Sequence, residues 1–222
     1  MKVKLVFIAV LIGFTVAAQQ TKGRISYDIV ASSDDAQTAA FAKQMEGNST
    51  LEIYFSDEGI REEMYLGDFM TNISIRRKDA DTVLTLLDGM MGKVAMKSTL
   101  NDLPEEQKEA LTNRKVELVE GTKEIMGYEC KKAIITTSDD NQTTVWYTPE
   151  ILPAFRSGQY LMEEIPGMPL YMEGKWGNMN FQFVAFENKK KLKKPEQLFD
   201  NTVPSGFTLR TMEEMQQMRR GG

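Results

Sequence analysis

The sequence predicts an α+β protein: a curved antiparallel sheet, an incomplete β-barrel, with a few short helices against its concave face. Three observations carry this. Apolar residues recur at every second position through most of the chain, the period of a half-buried strand. Polar turn chemistry separates the runs, as in Asp57-Glu58-Gly59, Lys78-Asp79-Ala80-Asp81, Asp88-Gly89, Ser138-Asp139-Asp140-Asn141 and Trp176-Gly177-Asn178. Helical patterns are few and short. One apolar face on about ten strands exceeds what such helices cover, unless the sheet curls around them.

Taken in order, the first strand sets Ile25, Tyr27 and Ile29 on one face and Arg24, Ser26 and Asp28 on the other. Ser33 to Met45 opens with Ser and Asp, suited to a helix start, and continues through Ala39, Ala40, Phe41 and Ala42. Leu51, Ile53 and Phe55 alternate with Glu52, Tyr54 and Ser56; Phe69, Thr71, Ile73 and Ile75 alternate with Met70, Asn72, Ser74 and Arg76. Further strands are predicted at about 59–66, 82–88, 92–98, 114–120, 127–137, 143–148, 169–176 and 178–187. Asp102 to Leu111 carries Pro104 and two glutamates in its first turn, as a helix start prefers. Pro195 to Phe199 is predicted as one helical turn and Thr211 to Arg219 as a C-terminal helix. No repeat, low-complexity tract or linker interrupts residues 19–222, which read as one domain.

Composition narrows the chemistry. The 222 residues hold no histidine, one cysteine and fifteen methionines. Without histidine there is no Ser-His-Asp triad, no Cys-His pair and no histidine metal site. A single cysteine makes no internal disulfide and no CxxC redox pair. Phosphate loops, dinucleotide fingerprints, calcium loops and metalloprotease helices are missing from the sequence, so no cofactor is expected.

Residues 1–18 read as an export signal. Lys2 and Lys4 form a basic start, Leu5 to Val16 is almost wholly apolar, and Val16-Ala17-Ala18 supplies the small residues of a cleavage site. Removing Lys2 and Lys4 would take the net charge from −5 to about −7. That balance argues against a nucleic-acid partner, which needs a basic face. No cysteine follows the cut, so no bacterial lipid anchor is expected, and no later run reaches the ~20 apolar residues of a membrane helix. The expected location is the periplasm or another extracytoplasmic space.

Two stretches look familiar. Ile125-Met126-Gly127-Tyr128-Glu129-Cys130-Lys131-Lys132, followed by a polar turn and Val145-Trp146-Tyr147-Thr148, is similar to a pattern of exported bacterial proteins related to the GLPGLI family. Ile165-Pro166-Gly167-Met168-Pro169-Leu170 resembles that family's proline-glycine segment, and Gly23-Arg24-Ile25-Ser26-Tyr27 its first strand. At a greater distance the layout resembles the LolA/LolB lipoprotein carriers, with Phe199 and Pro204-Ser205-Gly206-Phe207 similar to their closing strand and turn. That resemblance implies an incomplete barrel around an apolar cavity. No arginine matches the carriers' gating arginine, so it implies the scaffold and not lipoprotein transport.

Four groups of residues are candidates for function. Met162, Met168 and Met172 with Trp146, Phe181 and Phe183 would line an apolar concavity, where flexible thioethers and flat rings accept variable apolar partners. Met212, Met215 and Met218 recur every three residues on a predicted helix, and thioether sulfur selects Cu(I); the same residues also serve as plain core filling. Lys189, Lys190, Lys191, Lys193 and Lys194 either meet anionic lipid headgroups or form a solvated loop. The acid pairs Glu62-Glu63, Asp139-Asp140, Glu163-Glu164 and Glu213-Glu214 are the sole raw material for a carboxylate hydrolase. The reading that follows is a non-enzymatic envelope protein binding an apolar or amphiphilic, lipid-like ligand, with peripheral membrane contact. Its alternatives are a Met-based Cu(I) binder, a structural or interaction protein of the envelope without a small-molecule ligand, and a hydrolase.

Overall fold

The computed structural model describes residues 19–90, 92–138 and 140–220; the stretch expected to be an export signal, 1–18, lies outside the described residues. The elements run β1 (Gly23–Ser32), α1 (Ala36–Met45), β2 (Ser49–Phe55), β3 (Gly59–Leu66), β4 (Met70–Arg77), β5 (Val83–Gly89) and β6 (Gly92–Ser98). A 3₁₀ turn at Leu100–Asp102 and α2 (Glu105–Thr112) lead to β7 (Lys115–Ile125), β8 (Tyr128–Thr136) and β9 (Gln142–Thr148). After a long segment come β10 (Met168–Trp176), β11 (Met179–Lys189), α3 (Pro195–Leu198), β12 (Thr208–Arg210) and α4 (Met212–Arg220).

The twelve strands among the described residues form one sheet in the order β12-β6-β5-β4-β3-β2-β1-β11-β10-β9-β8-β7. It is a curved, unclosed, mostly antiparallel sheet with a few short helices, the class that the alternation predicts. Two meanders, β1 to β6 and β7 to β11, join where β1 pairs with β11. The one parallel pairing among the described strands, β12 on β6, is too short for any period and had no sequence signal. Among the described residues no helix is long and apolar enough to cross a membrane.

Side chains cap the starts of α1 and α4. The Asp35 carboxylate accepts from the Thr38 backbone N–H at 2.9 Å and opens α1. Thr211 and Glu214 exchange two bonds at the start of α4, a capping box. α1 lies on β1 and β11 and buries Ala42 and Met45.

Residues that pair directly across antiparallel strands share a face. On the main core face Ile25 pairs with Ile53, Ile29 with Phe183, Phe183 with Met172, Met172 with Val145 and Val145 with Ala133. All are buried. Much of the cover comes from the segment between β9 and β10, which seats Ile151, Tyr160, Leu161 and Ile165 in the core. Its start is tied down by Gln20, whose N–H donates to Glu150 and whose carbonyl accepts from Leu152.

The sequence predicts one apolar face; the structure has two half-faces on opposite sides. Ile53 pairs with Glu62, Glu62 with Ser74 and Ser74 with Thr85; β3 still adds Ile60 and Leu66 to the core, and the face turns largely polar from β4 onward. Ile73 and Ile75 pair instead with Glu63 and Arg61, and then with Leu86 and Leu84. They build a second apolar cluster with Ala95 on the reverse side, covered by Val203 and Phe207. Register is the cause: each strand alternates, but the phase of β4 relative to β3 is shifted by one residue. The C-terminal chain is held there by Arg61 and Arg77, whose guanidinium groups donate to the Leu198 and Phe199 carbonyls at 3.3 and 3.4 Å.

Candidate functional site

The polar half of the core face forms the floor of a half-open cleft of about 1080 Å³. Asn72, Ser74 and Arg76 of β4 and Val83 and Thr85 of β5 make that floor. One wall is the chain from Thr99 to Arg114, with Leu100 and Leu103; the other is the β9–β10 segment, with Phe155, Arg156 and Ser157. Apolar and cationic side chains therefore face one space.

Beside this cleft lies Glu62, a buried carboxylate on β3. It accepts the backbone N–H groups of Tyr160 at 3.0 Å and Gln159 at 3.3 Å, pinning the segment to the sheet. Gly158 makes this approach feasible, since a Cβ there would stand 2.5 Å from the Glu62 Oε1. Burial pushes the Glu62 carboxyl above its ordinary range, against the two backbone donors and the Arg76 charge. Burial likewise lowers Arg76, where the Glu62 charge opposes the shift and the like charge of Arg114 adds to it.

The arginines are only partly satisfied. Arg76 Nη1 donates to the Ser157 hydroxyl at 3.2 Å. Arg156 donates to the carbonyls of Pro153 at 3.1 Å and Glu163 at 3.5 Å. Arg114 faces the half-exposed Glu164 carboxylate at 3.4 Å. The Nε atoms of all three arginines and the Oδ1 of Asn72 are buried without a hydrogen-bond partner.

The residues anticipated from sequence are placed elsewhere. Met168, Met172, Phe181 and Phe183 are buried, and Met162 is half-buried against the same core. Phe183 packs on Tyr160 with ring centroids 5.3 Å apart. Trp146 pairs with Tyr171, whereas Met172 pairs with Val145, so Trp146 occupies the opposite face. There Lys123 and Lys132 approach its ring to 5.9 and 5.8 Å. None of the six lines the cleft or the smaller groove of about 340 Å³ between β1 and α1. Met215 is buried and Met212 half-buried; the Met218 side chain lies outside the described residues. The five lysines from Lys189 to Lys194 are exposed. Among the described residues no group of three or more carboxylate, thiol or imidazole side chains is placed to hold a metal. Cys130 is buried, and burial pushes its thiol up to about 11, with Glu150 adding to the shift.

Sequence reasoning missed the three arginines. Each lies in a different element, and no local pattern joins Arg76, Arg114 and Arg156.

Comparison with known proteins bears on the fold. PNGF-II superposes at a TM-score of 0.52 with 17% identity, covering 88% of this chain and 32% of that one. A second crystal form of PNGF-II gives 0.51. The chain thus spans about a third of the length of the structures it matches first. The Mycobacterium tuberculosis lipoprotein LppX scores 0.37 at 8% identity, covering 77% of this chain and 88% of that one. The LolA superfamily protein NE2245 from Nitrosomonas europaea scores 0.26 at 8% identity, covering 82% and 90%. The last two add nothing to the fold assignment, which stands on the sheet itself. No curated protein matches by sequence. Residues 73–205, which run from within β4 through α3 and include most of the cleft, match the family described as N-glycanase peptide, N-terminal domain. The chain belongs to that family.

Proposed function

We propose that this domain is a non-enzymatic binding module of the bacterial envelope, holding an amphiphilic ligand in the cleft between β4–β5 and the β9–β10 segment. One observation carries the reading: a space of about 1080 Å³ with apolar Leu100, Leu103 and Phe155 on its walls and Arg76, Ser74 and Asn72 on its floor. Ligand sites favour concave, largely apolar surfaces with a few placed polar groups. The export-signal pattern read in the sequence of residues 1–18 supports the location. The missing histidines and the single, buried cysteine support binding rather than catalysis. A family described as an N-terminal domain, and a chain that covers about a third of PNGF-II, fit an accessory role. The exposed lysines from Lys189 to Lys194 would hold such a module near anionic headgroups, each worth ~1 kcal/mol at a charged surface.

Native mass spectrometry of protein gently extracted from its own envelope tests this. A lipid-like adduct is expected on the wild type and should be lost from a Leu100→Glu/Leu103→Glu variant with an unchanged melting temperature. A clean apo mass for the wild type overturns the reading.

A further inference from the structure

We propose that the polar side of the cleft is an oxyanion site. Arg76, Arg114 and Arg156 would grip a phosphate, sulfate or carboxylate group, and Asn72 would accept a hydrogen bond from a hydroxyl or amide next to it. The inference rests on the amphiphile reading above and names the headgroup chemistry of the same cleft.

Its first support is where unsatisfied polarity concentrates. Five buried side-chain polar atoms among the described residues have no partner, and four of them belong to residues that line the cleft: Nε of Arg76, Arg114 and Arg156, and Oδ1 of Asn72. Buried polar atoms in folded proteins are nearly always bonded, so such a grouping marks a place built for a partner. Three of the four are donors on permanent cations, and one is an acceptor. The matching ligand offers oxygen acceptors to the arginines and a donor to Asn72.

A second support is geometric. The three guanidinium groups come from β4, from the residue before β7 and from the β9–β10 segment, yet all line one cavity. Arg114 is close enough for its charge to disfavour that of Arg76. Their present partners are a hydroxyl, carbonyls and one long ion pair, which leave the three Nε donors unspent. Arginine is the residue whose fork matches oxyanions in pairs of parallel bonds. Electrostatics agree: Arg76, Arg77, Lys78, Arg114 and Arg156 outnumber Asp81, Glu163 and Glu164 in the lining. Arg77 is already committed to Asp79 at 2.7 Å, so the other three carry the site.

The same chemistry is offered by an amphiphile's headgroup and by a free anion, and a calorimetric titration of the full chain separates them. Four probes are used: dodecyl phosphate and dodecyl maltoside below their micelle concentrations, inorganic phosphate and inorganic sulfate. Dodecyl phosphate is expected to bind at least about tenfold tighter than the neutral maltoside. That preference should vanish in Arg114→Gln/Arg156→Gln and return in part in Arg114→Lys/Arg156→Lys. Should the double variant fail to fold, the comparison of the two detergents on wild type still decides. If inorganic phosphate or sulfate binds as tightly as dodecyl phosphate, the oxyanion site stands with a free anion as its source, and the amphiphile reading falls. If both detergents bind equally, the oxyanion site is overturned while the amphiphile reading survives. If nothing binds, both fall.

Discussion

Glu62 and Gly167 show how single residues set the shape of the β9–β10 segment. At Gly167 the constraint is backbone: a Cβ would lie 2.2 Å from the Thr148 carbonyl oxygen and 2.9 Å from the Tyr147 ring. The neighbouring Ile165, Met168 and Leu170 are buried, and the Tyr27 hydroxyl donates to the Pro169 carbonyl at 2.7 Å. The proline-glycine stretch is thus a packing device. Gly167→Ala should destabilise the fold by about 1–3 kcal/mol, read from urea midpoints, and an unchanged midpoint would contradict the close approach. Glu62 yields a pH prediction. Its folded pKa is raised above the ordinary value of 4.5, so its favourable contribution is present below that value and is lost as pH rises through the folded pKa. Wild type should therefore lose stability relative to Glu62→Gln as pH increases from about 4 to 8. A flat difference in melting temperature over that range would count against a Glu62 carboxyl raised by burial. In the sequence this residue shows only as half of an acid pair; its burial follows from strand pairing with Ile53, which no local pattern states.

At the scale of elements, the reverse-side cluster depends on a chain end. Val203 and Phe207 cover Ile73, Ile75, Leu84, Leu86 and Ala95, and Lys93 lies 5.7 Å from the Phe207 ring centroid. Phe207→Ala should cost about 2–4 kcal/mol in a denaturant melt. Ending the chain after Asn201 should uncover the cluster and raise binding of an apolar dye, while a truncated protein as dye-silent as wild type would refute that role. The strands from β1 to β11 were legible because each repeats at period two between polar turns. β12 was not, since Thr208–Arg210 gains its place from the β6 edge and from the turn at Pro204 to Gly206. The four α-helices were legible from their starting residues, with ends displaced by a few positions.

Across the whole molecule, protection should follow position in the sheet. β1 is flanked by β2 and β11 and carries Ile25, Tyr27 and Ile29 in the core, whereas β7 is an edge strand, exposed along nearly all its length. Amide exchange should be slowest in β1, β2 and β11 and fastest in β7 and β12. Equal protection of β7 and β1 would point to a covered edge. Alternating Lys115, Glu117, Glu120, Lys123 and Glu124 with a register shift between Val119 and Thr122 gives β7 the charge and irregularity that discourage edge pairing. The phase shift between β3 and β4 escaped the sequence for a physical reason: alternation fixes the period of a strand, and only pairing fixes its phase. The cleft escaped with it, because polar residues at Asn72, Ser74 and Arg76 read as a solvent face until the sheet places them opposite Met64, Glu62 and Ile60.

That phase shift has an evolutionary reading. Folding rests on Ile25, Ile53, Phe183 and their neighbours, and on Ile73 and Leu86 across the sheet, while Asn72, Ser74 and Thr85 support neither cluster. Exchanges that neither hollow nor overpack a core avoid the commonest large losses of stability. The frame can therefore be kept while the cavity is refitted, one point change at a time, to a different guest.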